Sequence, residues 1–175
     1  MQDKLSFRLA AISDKKLIQQ WWTKPHVIRF WDNSPEMWQN VENYLQGKKN
    51  VFDYWIGTFE NSPFSLLMTS EFDKNLPCDN PYAPWIDQHG KTMSIDFLIG
   101  EELFLGKGLG SKTLIGFSRF LKKEFDATAL IIDPAVDNVK AVKAYQKAGF
   151  DIVDTFIRET GYFSGIKHYL MKITL

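Results

Sequence analysis

A chain of 175 residues, 45% hydrophobic and 24% charged, can bury a substantial core as one soluble domain, expected to span residues 1–175. Lys plus Arg and Asp plus Glu number 21 each, so no net charge favours nucleic acid or an anionic membrane, and the lone Cys78 excludes an internal disulfide and a cysteine zinc site. The first residues carry no signal-peptide core and no apolar run approaches membrane-spanning length, so a cytoplasmic protein with no bound metal is expected.

Over residues 4–10, Leu5, Phe7 and Leu9 alternate with polar neighbours and predict a half-buried strand. Ser13 is a candidate N-cap for a helix to Trp22, and Pro25 can open a short helix that breaks near Trp31. Ser34-Pro35 offers the cap and first-turn proline of a third helix, with Met37, Trp38, Val41, Tyr44 and Leu45 at helical spacing. This aromatic region suits a core and a substrate wall equally. Residues 54–59 and 64–71 predict strands joined by a turn at Glu60-Asn61-Ser62-Pro63. Residues 72–91, with Pro77, Pro81 and Pro84 around Tyr82, Trp85 and Asp87, predict a long loop of the kind that carries function.

A strand over residues 92–99 places Met93, Ile95, Phe97 and Ile99 on one face and Thr92, Ser94, Asp96 and Leu98 on the other. Gly106, Gly108 and Gly110 then form a turn before a helix whose stripe is Leu114, Phe117, Leu121 and Phe125. Residues 128–132 predict an apolar central strand ended by Asp133-Pro134. A helix from Asp137 or Asn138 to Ala148 stops at Gly149, and residues 150–158 and 166–173 predict two closing strands. The order β, helices, β, β, β, α, β, α, β, β is that of a mixed α/β domain.

The glycine turn carries the first chemical signal. Its glycines permit backbone conformations closed to other residues, and the helix that follows presents free N–H groups and a positive dipole end to an anion. A Walker loop would end in Gly-Lys-Ser/Thr, whereas the order here is Gly108-Leu109-Gly110-Ser111-Lys112. A dinucleotide fingerprint would space its glycines differently and stand near the start of a βαβ unit.

Residues 105–110 resemble the pyrophosphate loop of the GNAT (Gcn5-related) N-acetyltransferases, Arg/Gln-x-x-Gly-x-Gly/Ala, with Leu105 in place of the usual Arg or Gln. Downstream, Asp133-Pro-Ala-Val-Asp-Asn138 and Tyr145-Gln-Lys-Ala-Gly-Phe150 resemble the same family's segment after its fifth strand. The resemblance implies acetyl-CoA as co-substrate and a mostly antiparallel sheet whose fourth and fifth strands splay apart. Leu105, Gly106, Lys107, Gly108, Leu109, Gly110, Ser111 and Lys112 would form its pyrophosphate loop, Asn138 would meet the pantetheine arm, and backbone N–H groups of Phe97, Leu98 and Ile99 would point at the acetyl carbonyl. Tyr145 lies seven residues after Asn138, on the same helix face, and is the candidate acid for the leaving sulfur. Direct transfer between two bound substrates requires no covalent nucleophile.

Asp96 is the candidate base: strand interiors disfavour Asp, so its place on the fourth strand needs a reason. The structural alternative is an Asp paired with a nearby Lys, Arg or amide. Ser94-Ile-Asp96-Phe, Leu105-Gly-Lys-Gly-Leu-Gly-Ser-Lys112 and the Trp21 to Trp31 stretch further resemble aminoglycoside 6′-N-acetyltransferases, with Phe97 departing from that branch's Gln. This implies Asp96 and Asp133 facing a polycation and Trp31 walling its pocket. Asp87 joins them as a substrate candidate, with Asp32, Glu71, Glu101 and Glu102 as further acids near a cleft. His26, His89 and His168 are expected to be structural or surface residues. The acceptor is then a small cationic amine and the protein a monomer or homodimer. Other readings are a siderophore precursor, polyamine or protein N-terminus as acceptor, or a non-catalytic CoA-binding module.

Overall fold

The first strand, β1 (Leu5–Leu9), forms as the alternation predicts in a computed structural model that describes residues 4–175, with Leu5 and Phe7 half-buried but Leu9 exposed at 50%. The elements that follow are α1 (Lys15–Trp22), α2 (Pro25–Ile28), α3 (Pro35–Leu45), β2 (Asp53–Phe59), β3 (Ser62–Glu71), β4 (Thr92–Ile99), α4 (Leu109–Phe125), β5 (Ala129–Ile132), α5 (Val139–Lys147), β6 (Asp151–Ile157) and β7 (Lys167–Thr174). The strands hydrogen-bond in the order β1-β2-β3-β4-β5-β7-β6. β4 and β5 run parallel, whereas β1–β2, β2–β3, β5–β7 and β6–β7 are antiparallel, as the mixed, mostly antiparallel reading expects.

The chain divides into two compact units. One comprises the residues through Thr69 together with Phe97–Lys107; the other comprises Ser70–Asp96 and Gly108–Leu175. In the first, the apolar faces of α1 to α3 bury Ile18, Trp21, Trp22, Val27, Val41 and Leu45 against Tyr54, Ile56, Leu66, Met68 and Leu98. Ser34 caps α3 as predicted, its hydroxyl accepting the Met37 N–H at 3.2 Å. Ser13 does not cap α1. A short 3-10 turn over Ile12–Asp14 precedes the helix, and Asp14 stands at the N-cap of α1 without a side-chain cap bond; its carboxylate instead accepts the Ala11 N–H at 2.8 Å, closing the 3-10 turn, and a two-pronged ion pair from Arg8 at 2.7 Å. The predicted four-residue hairpin also tightens. Glu60 and Asn61 alone turn the chain, both with positive φ, and Ser62 and Pro63 belong to β3. Pro63 is tolerated there because it faces an irregularity in the ladder at Gly57 and Thr58.

In the second unit, every residue of β5 is buried, consistent with its central place. α4 packs Leu109, Leu114, Phe117 and Leu121 inward and ends on Lys122 and Lys123, cations suited to its negative end. Asn138 caps α5, and Gly149 closes it with a φ of 98°. The long loop gains one 3-10 turn, Ala83–Trp85. Its far end is held where Asp87 accepts the Thr128 hydroxyl at 2.7 Å, and a Cβ on Gly90 would lie 2.1 Å from the same hydroxyl oxygen.

Candidate active site

Parallel pairing between β4 and β5 runs through Thr92↔Ala129, Met93↔Leu130 and Ser94↔Ile131, and stops there. Asp96 and Asp133 each stand two residues beyond the last pair, so continuing the register would set them opposite one another. Ladder hydrogen bonds no longer hold the backbones together at this point, which is the splay expected from the sequence. Asp96 stays within β4, while Asp133 stands just past the end of β5, where the parallel ladder has stopped.

The second unit surrounds them with polar groups. The loop residue Tyr82, wedged between the rings of Phe72 and Phe156, donates its hydroxyl to Asp133 Oδ2 at 2.9 Å. Arg158, one residue past β6, donates through Nη2 to the same oxygen. The buried His168 on β7 donates from Nδ1 to the Asp133 carbonyl at 2.7 Å and orients that residue's backbone. Tyr145 is buried on α5, its ring 6.5 Å from that of Phe150.

These neighbours set the protonation. Burial, and next the charge of Asp133, push the Asp96 carboxyl up to about 7, against the pull of Arg158. Burial also raises Asp133, while Arg158 and the Tyr82 hydroxyl pull it down. With the Arg158 guanidinium in direct contact, negative charge is favoured on Asp133, while Asp96 holds its proton to a higher pH. Burial raises both the Tyr145 and Tyr82 phenols, the charges of Asp96 and then Asp133 add to Tyr145, and those of Asp133 and then Asp96 add to Tyr82. Both tyrosines are therefore neutral hydrogen-bond donors near pH 7.

The glycine turn divides its labour. Gly106 and Gly108 adopt φ of 72° and 71°, a region other residues avoid, and nothing lies within 4 Å of where a Cβ would stand on either. Gly110 has no positive φ, because α4 has already begun at Leu109. Gly108 is the N-cap, and the N–H groups of Leu109, Gly110 and Ser111 precede the first intrahelical donor and have no helical partner. The Lys112 N–H and the Ser111 hydroxyl return to the Gly108 carbonyl at 3.4 and 3.2 Å. No acidic residue stands in the first turn, while Lys107 and Lys112 are exposed beside it. Open space, free N–H donors and no competing carboxylate suit a pyrophosphate.

Not every predicted site residue joins this cluster. Both Asp87 oxygens are engaged, one by Thr128 and the other by the His89 N–H at 2.9 Å, so Asp87 braces the loop. Leu105 is exposed and contributes extended backbone before the turn. Asn138 spends its side-chain oxygen on the Ala141 N–H at 3.4 Å, which leaves its NH2 group as a donor. In the other unit, Phe97 is half-buried, Leu98 is buried in the core, and the Ile99 carbonyl accepts from His26 Nε2 at 2.8 Å. Trp31 packs there against Trp22, ring centroids 6.4 Å apart. Among the further acids, Asp32 holds the Ser34 N–H, Glu101 accepts from Trp21 Nε1 at 2.7 Å, and Glu71 and Glu102 lie against Lys91 and His26.

The acetyltransferase (GNAT) domain family matches residues 11–157, well over half the chain. The chain is a GNAT acetyltransferase. Enzymes of this family draw the acetyl group from acetyl-CoA, a thioester, which fits the anion-binding character of the 106–112 turn. Among curated proteins, the enzyme is 24% identical over 156 residues to aminoglycoside N(6′)-acetyltransferase type 1 of Klebsiella pneumoniae, covering 85% of this chain and 75% of that one. Among solved structures, the aminoglycoside N(6′)-acetyltransferase of Legionella pneumophila aligns with a TM-score of 0.81 at 26% identity, covering 99% of this chain and 94% of that one. An aminoglycoside acetyltransferase solved with coenzyme A and kanamycin has the same fold, with a TM-score of 0.76 at 20% identity over 97% of this chain and 94% of that one.

Sequence reasoning overlooked two members of the acetyltransferase's acidic cluster. Tyr82 was visible only as an aromatic in a proline-rich loop, and Arg158 only as a residue at the end of a predicted strand. An arginine at the end of a strand two positions from β5 becomes a signal only once β7 is known to lie between β5 and β6 and to bring the end of β6 to Asp133.

Proposed function

We propose that this acetyltransferase transfers acetyl directly from acetyl-CoA to a primary amine of a small cationic acceptor, with an aminoglycoside 6′-amine the best-supported choice. The observation that carries the reading is the pairing of Asp96 and Asp133 where β4 and β5 part, beside the buried Tyr145 phenol. A carboxylate attracts the ammonium form of an amine. A carboxyl poised near pH 7 can then accept a proton as the amine attacks. Tyr145, neutral and buried, can donate to the departing sulfur. Lys107, Lys112 and the free N–H groups of α4 hold the coenzyme's phosphates, and the Asn138 NH2 group is a donor for its amide arm. The likeness to aminoglycoside N(6′)-acetyltransferases supports the acceptor class.

The test is thiol release from acetyl-CoA with a panel of kanamycin, spermidine, N-hydroxylysine and a peptide. Saturable turnover with kanamycin, absent from an analogue bearing a 6′-hydroxyl in place of the 6′-amine, is the expected result. Turnover confined to another member of the panel would replace the acceptor and keep the enzyme.

A further inference from the structure

Arg158 is held on both sides of its side chain's origin. Its N–H donates to the Ile166 carbonyl at 3.1 Å, and its own carbonyl accepts from the Gly165 N–H at 2.7 Å. From this anchored position the guanidinium passes the Phe156 ring, 5.8 Å from its centroid, and ends on Asp133 Oδ2. The Asp133 side chain is only 13% exposed, and its other contacts are the Tyr82 hydroxyl and, at 3.8 Å, His168 Nδ1. The Arg158 side chain keeps 34% of its exposure, and its buried Nε has no hydrogen-bond partner among the described residues. A salt bridge chosen purely for structure would use the guanidinium fork in full. This one is partial, solvent-facing and aimed into the acidic cluster.

On the reading above, Asp96 and Asp133 both face the acceptor, and Arg158 already neutralises Asp133. An ammonium group placed against Asp133 must take the place of Arg158, whereas one placed against Asp96 need not. We propose that Arg158 is a tethered counter-ion that occupies the Asp133 end of the acceptor site, so that a polycationic acceptor engages Asp133 only by displacing it. The inference rests on the reading of the Asp96–Asp133 cluster as the acceptor site, and it makes displacement of Arg158 the step that limits affinity for an aminoglycoside.

The experiment compares the wild-type enzyme with Arg158→Gln, Arg158→Met and Arg158→Lys, each checked by thermal melting. An exposed-charge control, Arg119→Gln, accompanies them. Kanamycin and the monoamine 6-amino-6-deoxyglucose are titrated by calorimetry, and thiol release is followed in parallel. The Gln and Met variants should bind kanamycin on the order of tenfold more tightly while the monoamine changes by less than about twofold. The Lys variant and the Arg119 control should stay near wild type. Kanamycin binding that is unchanged or weaker in both the Gln and Met variants overturns the inference, and so does an equal gain in the Arg119 control. Should Gln not fold, Met and Lys decide, since Met keeps the alkyl stem on Phe156. Tighter kanamycin binding without thiol release in any variant upholds the role of Arg158 and removes acetyl transfer to aminoglycosides.

Discussion

Asp96, within β4, and Asp133, one residue past β5, each stand two residues beyond the last ladder pair, Ser94 and Ile131. Neither β4 nor β5 alone makes a site. The ladder ends before both carboxyls, and burial together with the charge of Asp133 raises Asp96, while Asp133 answers chiefly to burial, Arg158 and the Tyr82 hydroxyl. Arg158 and Tyr82 fix the charge on Asp133, and Asp96 is left to titrate.

Asp96 should therefore govern the pH profile. Below about pH 7 its carboxyl holds the proton, so kcat/KM should rise roughly tenfold per unit toward neutrality and level off above it. Asp96→Asn should lower kcat by about 10²–10⁴ and abolish that limb, while acetyl-CoA binding by calorimetry is retained. Tyr145→Phe should likewise keep binding and lose transfer. Full activity in Asp96→Asn would remove it as the base.

The same carboxyl should make the fold pH-sensitive. Its folded value lies above that of an unfolded Asp, so the native state holds a proton that the unfolded chain releases. Stability then falls as pH rises from about 4 to about 7 and stays lower beyond. Asp96→Asn removes this penalty. The variant should match wild type at pH 4 and melt higher at pH 8, at roughly 2–4 °C per kcal/mol for a chain of this size. Equal melting temperatures at pH 8 would show that Asp96 is not desolvated.

Gly108→Ala should act through backbone strain, because φ is 71° and the space beside it is open. Holding Ala in the left-handed region costs about 1–2 kcal/mol. If the turn relaxes to avoid this, its N–H groups leave their positions, and the KM for acetyl-CoA should rise about five- to tenfold with the acceptor KM little changed. A selective rise in acceptor KM would place the turn elsewhere in the reaction.

Gly100→Ala should act through packing. A Cβ there would lie 2.1–2.4 Å from the indole atoms of the fully buried Trp21, while the Gly100 N–H is tied to the Phe64 carbonyl at 2.8 Å. The expected loss is about 1–3 kcal/mol, read as a lower melting temperature. Adding Trp21→Leu to Gly100→Ala should cost less than the two single losses combined, since the smaller side chain relieves the clash. Strict additivity would rule out this contact as the cause.

Much of this protein was written in local patterns. The period-2 alternation of β1, the Ser34-Pro35 start of α3, the Gly149 stop of α5 and the unbroken apolar run of β5 each follow from rules acting within one turn or one strand, and the sequence alone determined them. The 106–112 turn and the Asn138–Tyr145 spacing were legible for the same reason, since backbone conformation and helix phase depend on near neighbours. The start of α1 was not: a 3-10 turn put Asp14 rather than Ser13 at its N-cap, with the Asp14 carboxylate held by Arg8, on the preceding strand, and by the Ala11 N–H. The environment of Asp133 depended wholly on tertiary structure. Tyr82, Arg158 and His168 lie 51, 25 and 35 residues from Asp133, and only the packing of the proline-rich loop and the insertion of β7 between β5 and β6 bring them to it. Charge and burial are summed over space and not along the chain. The sequence could therefore name the two carboxylates, and only the fold decided which one carries the proton.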